Sequence, residues 1–144
     1  MSNAAEHSRS TVIPGHRYRN APAAIEWLCN VFGFEQKAVY EGPIGTIAHA
    51  ELTLNGGMVM LGSVKDDDYG RGFKSPDELG GIETRSIYIV VPDADAAHAR
   101  AVAAGATIVR PLRDTPYGSR EFAVIDPEGH TWSAGNYAPW DSQG

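Results

Sequence analysis

Apolar residues along this chain follow a helical period in some segments and a strand period in others. In "RYRNAPAAIEWLCNVFGFE", Ile25, Leu28, Cys29 and Phe32 recur at helical spacing after Asn20, which predicts a helix with Asn20 as its N-cap. In "GTIAHAELTLNGG", apolar and polar residues alternate up to an Asn-Gly turn, which predicts a strand and a hairpin. With further strands over "TVIPGHRY", "EQKAVYEG" and "MVMLGS", the first part of the chain is predicted to be βαβββ.

The same order of patterns returns in the second part of the chain. The strand "ETRSIYIVV" precedes an alanine-rich helix with Asp93 as N-cap, and three more strands follow over "ATIVRPL", "SREFAVI" and "HTWSAGNY". Asn20 matches Asp93 at an offset of 73 residues, and Gly57 in the hairpin turn matches Gly129 at an offset of 72. These matches indicate an internal duplication. One half is too small to close a core alone, so the halves are expected to pair within the chain or between two copies of it.

Domain boundaries follow from where the periodicity stops. The segment "VKDDDYGRGFKSPDELGG" is charged, rich in glycine and without a regular period, as expected for a linker or lid. The sequence therefore predicts a disordered leader at 1–10, a first βαβββ module at 11–64, a mobile linker at 65–82, a second module at 83–138 and a C-terminal tail at 139–144.

The net charge and the cysteine count argue against several classes of partner and of structural site. The net charge of −6 argues against nucleic acid and anionic membrane surfaces. The single cysteine, Cys29, rules out an internal disulfide and a cysteine-based zinc cluster. No apolar run approaches the ~20 residues that span a membrane, and the N-terminus lacks the apolar core of a secretory signal. A cytoplasmic location is therefore expected.

Three segments together resemble a known superfamily. "RYRNAPAAIEWLCNVFGFE", "VVPDADAAHARAVAAGA" and "DPEGHTW", with the duplicated unit, are similar to the vicinal oxygen chelate group of glyoxalases, bleomycin-resistance proteins and dioxygenases. Within it, the chain looks most like the glyoxalase/bleomycin-resistance-like proteins. The resemblance implies an α+β fold of two tandem βαβββ modules that form a U-shaped mixed sheet around a cleft, with the helices outside. It also implies a homodimer.

The same resemblance supplies four positions at which metal-dependent members carry their ligands. Carried over to this chain, those positions are Ile13, Leu61, Ser86 and Ser133. Isoleucine and leucine offer no donor atom, and neutral serine hydroxyls bind zinc, nickel or iron poorly. We therefore expect no metal and no cofactor.

Strand alternation, counted from those positions, predicts which side chains face the cleft. The predicted ligand-binding residues on these strands are Arg17, Leu61, Ser86, Tyr88, Thr131 and Ser133. The resemblance adds Tyr117, which is similar to an aromatic residue that some relatives place at the cleft mouth. Arg17 is a candidate for holding a ligand carboxylate, and equally for pairing with an acid at a module interface. Trp132 alternates with Ser133 and is expected to face the core.

His49 and Glu51 are weaker candidates for catalysis. They share one face of the third strand, where they would form an acid/base pair or a solvent-facing row opposite the apolar Ala48, Ala50 and Leu52.

Two functions remain open from the sequence. The first is metal-free binding or sequestration of a small organic molecule in a dimeric cleft. The alternative is a lyase or isomerase, similar to the glyoxalases, that acts on an unknown substrate without the usual metal ligands. The absent ligand set favours the first, but one fold hosts many functions.

Overall fold

The computed structural model describes residues 10–140. Residues 1–9 of the predicted leader and residues 141–144 of the predicted tail lie outside the described residues. The chain divides into two compact units, one ending at Ser75 and the other beginning at Pro76. Each unit contains a four-stranded sheet and one α-helix in the order βαβββ. The predicted α+β class and the two tandem modules are confirmed.

The first unit forms where the sequence predicts strand, helix and hairpin. Its elements are β1 (Gly15–Tyr18), α1 (Ala21–Phe32), β2 (Glu35–Glu41), β3 (Ile47–Leu54) and β4 (Gly57–Ser63). The sheet order is β1-β4-β3-β2, with β1 parallel to β4 and the other pairs antiparallel. The Asn20 side chain accepts a hydrogen bond from the Ala23 amide at 3.2 Å, and Gly33 ends the helix with a φ of 85°, which glycine adopts without a steric penalty.

One face of the first sheet is buried and the other is partly open. Tyr18, Ala50, Leu52 and Leu61 are buried, and α1, whose own apolar stripe is buried, packs against β1, β3 and β4. Side chains that alternate with this set are partly exposed, as in the half-covered sheets of many α+β proteins. We call the two surfaces of each sheet the helix-side face and the helix-distal face.

The second unit repeats this arrangement. Its elements are β5 (Ile87–Val90), α2 (Ala94–Ala103), β6 (Thr107–Asp114), β7 (Arg120–Ile125) and β8 (Thr131–Gly135). The sheet order is β5-β8-β7-β6, with β5 parallel to β8. The Asp93 side chain caps α2 by accepting from the Ala96 amide at 3.0 Å. The strand β5 is shorter than its apolar sequence predicts.

Trp132 anchors the helix-side face of the second sheet. It is fully buried, and its neighbours on that face include Val124 and Phe122, whose ring contacts His98 of α2 at 5.1 Å. The Trp132 indole N–H donates to the Asp126 carboxylate at 3.0 Å. This carboxylate also accepts the amide of Glu128 in the "DPEG" turn, so the motif connects the turn to the core.

The charged segment between the sheets contains two short 3₁₀ helices, Gly70–Gly72 and Pro76–Leu79. Arg71 forms ion pairs there with Asp66 and Asp68 at 3.0 and 2.5 Å. The mobility of this charged segment stays a prediction. Among residues 10–140, no helix is long and apolar enough to cross a membrane.

Candidate ligand-binding site

The helix-distal face of the second sheet carries three of the predicted site residues. Tyr88 on β5 lies directly beside Ser133 on β8, and Thr131 follows two residues away on the same strand and face. Because strand neighbours point to opposite faces, Ser133 and Trp132 are separated as predicted. Ser86 lies just before β5 and is exposed.

A buried carboxylate with no counterpart among the predicted site residues lies near one end of this face, opposite Gly135. Glu121 on β7 accepts hydrogen bonds from Tyr88 at 2.8 Å, from Tyr117 at 2.7 Å and from Ser119 at 2.9 Å. Its exposed fraction is only 5%. The predicted residues Tyr88 and Tyr117 are therefore brought together by one acid that binds both.

Tyr137 completes this group of residues. Its backbone amide donates to the Tyr88 hydroxyl oxygen at 3.2 Å, and its ring meets the Tyr117 ring edge-on with 5.2 Å between centroids. We call Tyr88, Tyr117, Ser119, Glu121 and Tyr137 the tyrosine–glutamate cluster. The three tyrosines remain 39%, 56% and 43% exposed in chain order, so their rings are held in place but not covered.

Gly135 provides the space in which the cluster forms. A Cβ atom at this position would lie 2.6 Å from Glu121 Cγ and 2.9 Å from the Arg120 carbonyl oxygen, and closer still to the Tyr88 hydroxyl. Any side chain here would force either Tyr88 or the backbone of β7 to move. Gly135 is thus required by the close approach of these two side chains.

The hydrogen bonds set the ionisation of the cluster. Burial alone would raise the pKa of Glu121, but the bonds from Tyr117, Tyr88 and Ser119 outweigh it, so its pKa lies below the usual value. Burial, together with the bond to Glu121, raises the pKa of Tyr88 to about 12. The bond to Glu121, followed by burial, also raises the pKa of Tyr117. At neutral pH Glu121 is therefore an anion, and Tyr88 and Tyr117 are neutral phenols.

The helix-distal face of the first sheet has a different set of polar groups. Arg17 lies beside Gly62 and donates to the Ser63 carbonyl oxygen at 3.4 Å. His49 and Glu51 on β3 share this face and form a pair with 3.1 Å between Nε2 and Oε2. The Tyr40 ring stacks on His49 with 6.2 Å between centroids, which fixes one side of the imidazole.

Gly62 occupies the same place in the first unit as Gly135 in the second, 73 residues later. A Cβ atom on Gly62 would lie 2.9 Å from Arg17 Nη1 and 2.9 Å from the Ala48 carbonyl oxygen. In both sheets a long side chain from the outer strand therefore lies over a glycine of the neighbouring strand.

The predicted placement of Leu61 on the same face as Arg17 is wrong. Leu61 pairs with His16, whereas Arg17 pairs with Gly62, so Leu61 points to the buried helix-side face. The error comes from the offset of the duplication. Gly56, not Gly57, has the positive φ that matches Gly129, which makes Met60 the counterpart of Ser133. A shift of one residue moves a strand side chain to the opposite face.

No group of three or more His, Cys, Asp or Glu side chains between residues 10 and 140 is arranged to hold a metal ion. The positions implied for metal ligands on β4 and β8 are occupied by Met60 and Ser133, which carry a thioether and a neutral hydroxyl. Neither is a strong ligand for a hard divalent ion. The absence of a metal from the protein stays a prediction.

Comparison with known proteins decides the family. The family model described as "Glyoxalase/Bleomycin resistance protein/Dioxygenase superfamily" matches residues 15–134. The chain belongs to this superfamily. This glyoxalase-superfamily protein is 38% identical over 116 residues to an uncharacterized protein of Mycobacterium bovis, Mb0911c. The match covers 81% of this chain and 76% of the relative.

Solved structures of the superfamily share the fold. TioX from Micromonospora sp. ML1 is 35% identical, with a TM-score of 0.68 over 90% of this chain and 97% of TioX. The fosfomycin resistance protein FosX from Mesorhizobium loti is 15% identical, with a TM-score of 0.64 over 92% of this chain and 95% of FosX. At that identity FosX supports the fold alone.

Proposed function

We propose that this glyoxalase-superfamily protein binds a small organic molecule, without a metal, on the helix-distal face of the second sheet. The observation that carries the proposal is the anchoring of two tyrosines by one buried acid. Tyr88 and Tyr117 both donate to Glu121 at 2.7 to 2.8 Å, yet their rings stay partly exposed. Rings that are fixed before binding lose little conformational entropy when a ligand contacts them.

Neutral hydroxyl groups lie beside the Tyr88 ring. Ser133 lies next to Tyr88, and Thr131 follows on the same face. A few hydroxyl groups beside aromatic rings are typical of sites that orient an organic ligand. The one carboxylate, Glu121, already accepts three hydrogen bonds within the cluster, so we propose that the ligand contacts the protein directly rather than through a metal.

The pairing of His49 with Glu51 favours a second candidate, a lyase or isomerase reaction. A carboxylate 3.1 Å from Nε2 fixes the imidazole tautomer and supports its action as a general base. In this alternative the substrate would contact the first sheet, and Glu51 would position His49.

The test begins with chelator-treated protein and a thermal-shift screen of planar organic molecules. We expect hits whose dissociation constants, measured by calorimetry, do not change when metal is removed. Replacing Tyr117 by leucine removes one ring, and the affinity should fall by roughly tenfold. The control Val102→Ser alters an exposed residue of α2, on the opposite side of the sheet, and should leave the affinity unchanged.

Two results would contradict the proposal. Either binding needs an added metal, or hits bind Tyr117→Leu as tightly as the unmodified protein. If affinity or turnover is instead lost in His49→Asn and retained in Tyr117→Leu, the reaction at the first sheet replaces binding at the second.

A further inference from the structure

We propose that the ligand of the tyrosine–glutamate cluster is an organic cation, with its positive charge against the rings and hydroxyl oxygens of Tyr88 and Tyr117. This inference rests on the proposed function, because it assumes binding at that face, and it adds the charge of the ligand. It differs from the expectation that Arg17 holds a ligand carboxylate.

Donor and acceptor counts within the cluster lead to this choice. An ionised carboxylate only accepts hydrogen bonds, so Tyr88, Tyr117 and Ser119 each direct their hydroxyl hydrogen at Glu121. The two phenols then present ring faces and the remaining oxygen lone pairs, since the Tyr88 oxygen already accepts the Tyr137 amide. A carboxylate or phosphate ligand needs donors, and these hydroxyls have none left to offer it. An ammonium or pyridinium group needs acceptors or ring faces, which the cluster provides.

The charge of Glu121 acts in the same direction. Glu121 is buried and bonded to both phenols, so its negative charge is less screened by water than that of an exposed acid. Donation to a carboxylate polarises each phenol and makes its oxygen and ring more electron-rich, which strengthens attraction to a cation above the ring.

Two other charges bear on the cluster. Arg113 lies opposite Glu121 on β6 and, with the three hydrogen bonds, lowers the pKa of Glu121, so it offsets part of that charge. The net charge of −6 attracts cations at longer range.

The experiment compares three probes of nearly equal shape, N-methylquinolinium, 1-methylnaphthalene and 1-naphthoate. They carry a positive charge, no charge and a negative charge. Titrations use the full chain at low and moderate salt. We expect the cation to bind about tenfold or more tighter than the neutral probe, a ratio typical of a cation over aromatic rings near a buried acid. This advantage should shrink as salt rises.

Variants locate the source of the preference. Glu121→Gln keeps the size of the side chain and removes its charge, so the cation should lose about tenfold in affinity while the neutral probe changes by less than about twofold. Glu26→Gln removes the same charge from an exposed position of α1 and should affect neither probe. Circular dichroism and thermal unfolding confirm that each variant is folded.

The outcomes separate this inference from the proposed function. If all three probes bind equally and Tyr117→Leu weakens all of them, the site is real and the preference for a cation is wrong. If 1-naphthoate binds best and Arg17→Ala abolishes its binding, the ligand is an anion and the inference is overturned. If the cation binds but Tyr117→Leu leaves its affinity unchanged, binding lies elsewhere and both proposals fail.

Discussion

Gly135 offers the most direct test of how the tyrosine–glutamate cluster is built. Replacing Gly135 by alanine adds a single methyl group at the point where Tyr88 crosses toward Glu121. That methyl would lie 2.9 Å from the Arg120 carbonyl oxygen and 2.6 Å from Glu121 Cγ, and real Cβ atoms do not approach other atoms so closely. Either the backbone of β7 shifts or Tyr88 moves away.

Both responses have a known cost. Forcing a methyl group into a packed region costs about 1–3 kcal/mol, and losing a hydrogen bond to a charged group costs about 1.5–3 kcal/mol. The two costs partly replace one another, because displacing Tyr88 relieves some of the crowding. We expect the free energy of unfolding to fall by about 2–4 kcal/mol, after the gain of about 0.5–1 kcal/mol that alanine has over glycine in a strand.

Urea unfolding followed by tryptophan fluorescence measures this change, since the midpoint and slope together give the free energy of unfolding. The matched control is Gly15→Ala, a strand glycine on the helix-distal face of the first sheet whose added Cβ would meet only the Met60 carbonyl oxygen at 3.9 Å. It should be neutral or slightly stabilising. A double-mutant cycle with Tyr88→Phe should show coupling of about 1 kcal/mol or more, because removing the hydroxyl removes one source of crowding.

The reasoning is refuted if Gly135→Ala unfolds at the same urea concentration as Gly15→Ala. It is also refuted if Gly135→Ala and Tyr88→Phe act additively, since the cost of the methyl group would then have nothing to do with the cluster.

Three further predictions follow from the structure. A near-ultraviolet titration should show one phenol ionising near pH 12. This step should be absent in Tyr88→Phe and should move toward pH 10 in Glu121→Gln. Because the folded pKa of Tyr88 is raised, the stabilisation by Tyr88 should be complete below pH 10 and lost as the pH passes 12. Trp132→Leu removes a buried ring and its hydrogen bond to Asp126, so it should lower the free energy of unfolding by about 3 kcal/mol or more. A ligand bound on the opposite face should keep its affinity for the folded fraction. A loss of affinity at unchanged stability would reverse the assignment of faces. Each unit is small for a core of its own, and light scattering at micromolar concentration should show a homodimer, whereas a particle of 15.5 kDa would contradict this expectation.

Local patterns were sufficient to predict the elements of the fold. Asn20 and Asp93 cap their helices through side-chain oxygens, and this chemistry is visible in a short stretch of sequence. The separation of Trp132 from Ser133 also follows from strand alternation alone. Such features depend on neighbours in the chain and need no knowledge of the sheet.

Features that depend on pairing between strands were harder to predict. The sequence predicts the wrong face for Leu61 because the glycines of the two turns can be aligned at either of two offsets. The positive φ of Gly56 and the pairing of β1 with β4 decide between them. Glu121 was not singled out, because an isolated acid in "SREFAVI" resembles a solvent-facing residue. One signal that Glu121 is not simply solvent-facing is available in the sequence, since it shares a face of the predicted strand with the small residues Ser119 and Ala123. The contact of Glu121 with Tyr88, however, depends on β8 lying between β5 and β7.

The glycines at positions 62 and 135 let each half carry a different long side chain across its sheet. In both halves the bare backbone admits a long side chain from the neighbouring outer strand, which is a guanidinium in the first half and a phenol in the second. A change in that crossing side chain alters the charge presented by the sheet but leaves the ladder of backbone hydrogen bonds intact. Two halves built on one βαβββ pattern therefore present unlike chemical groups, a cation in the first and a phenol in the second.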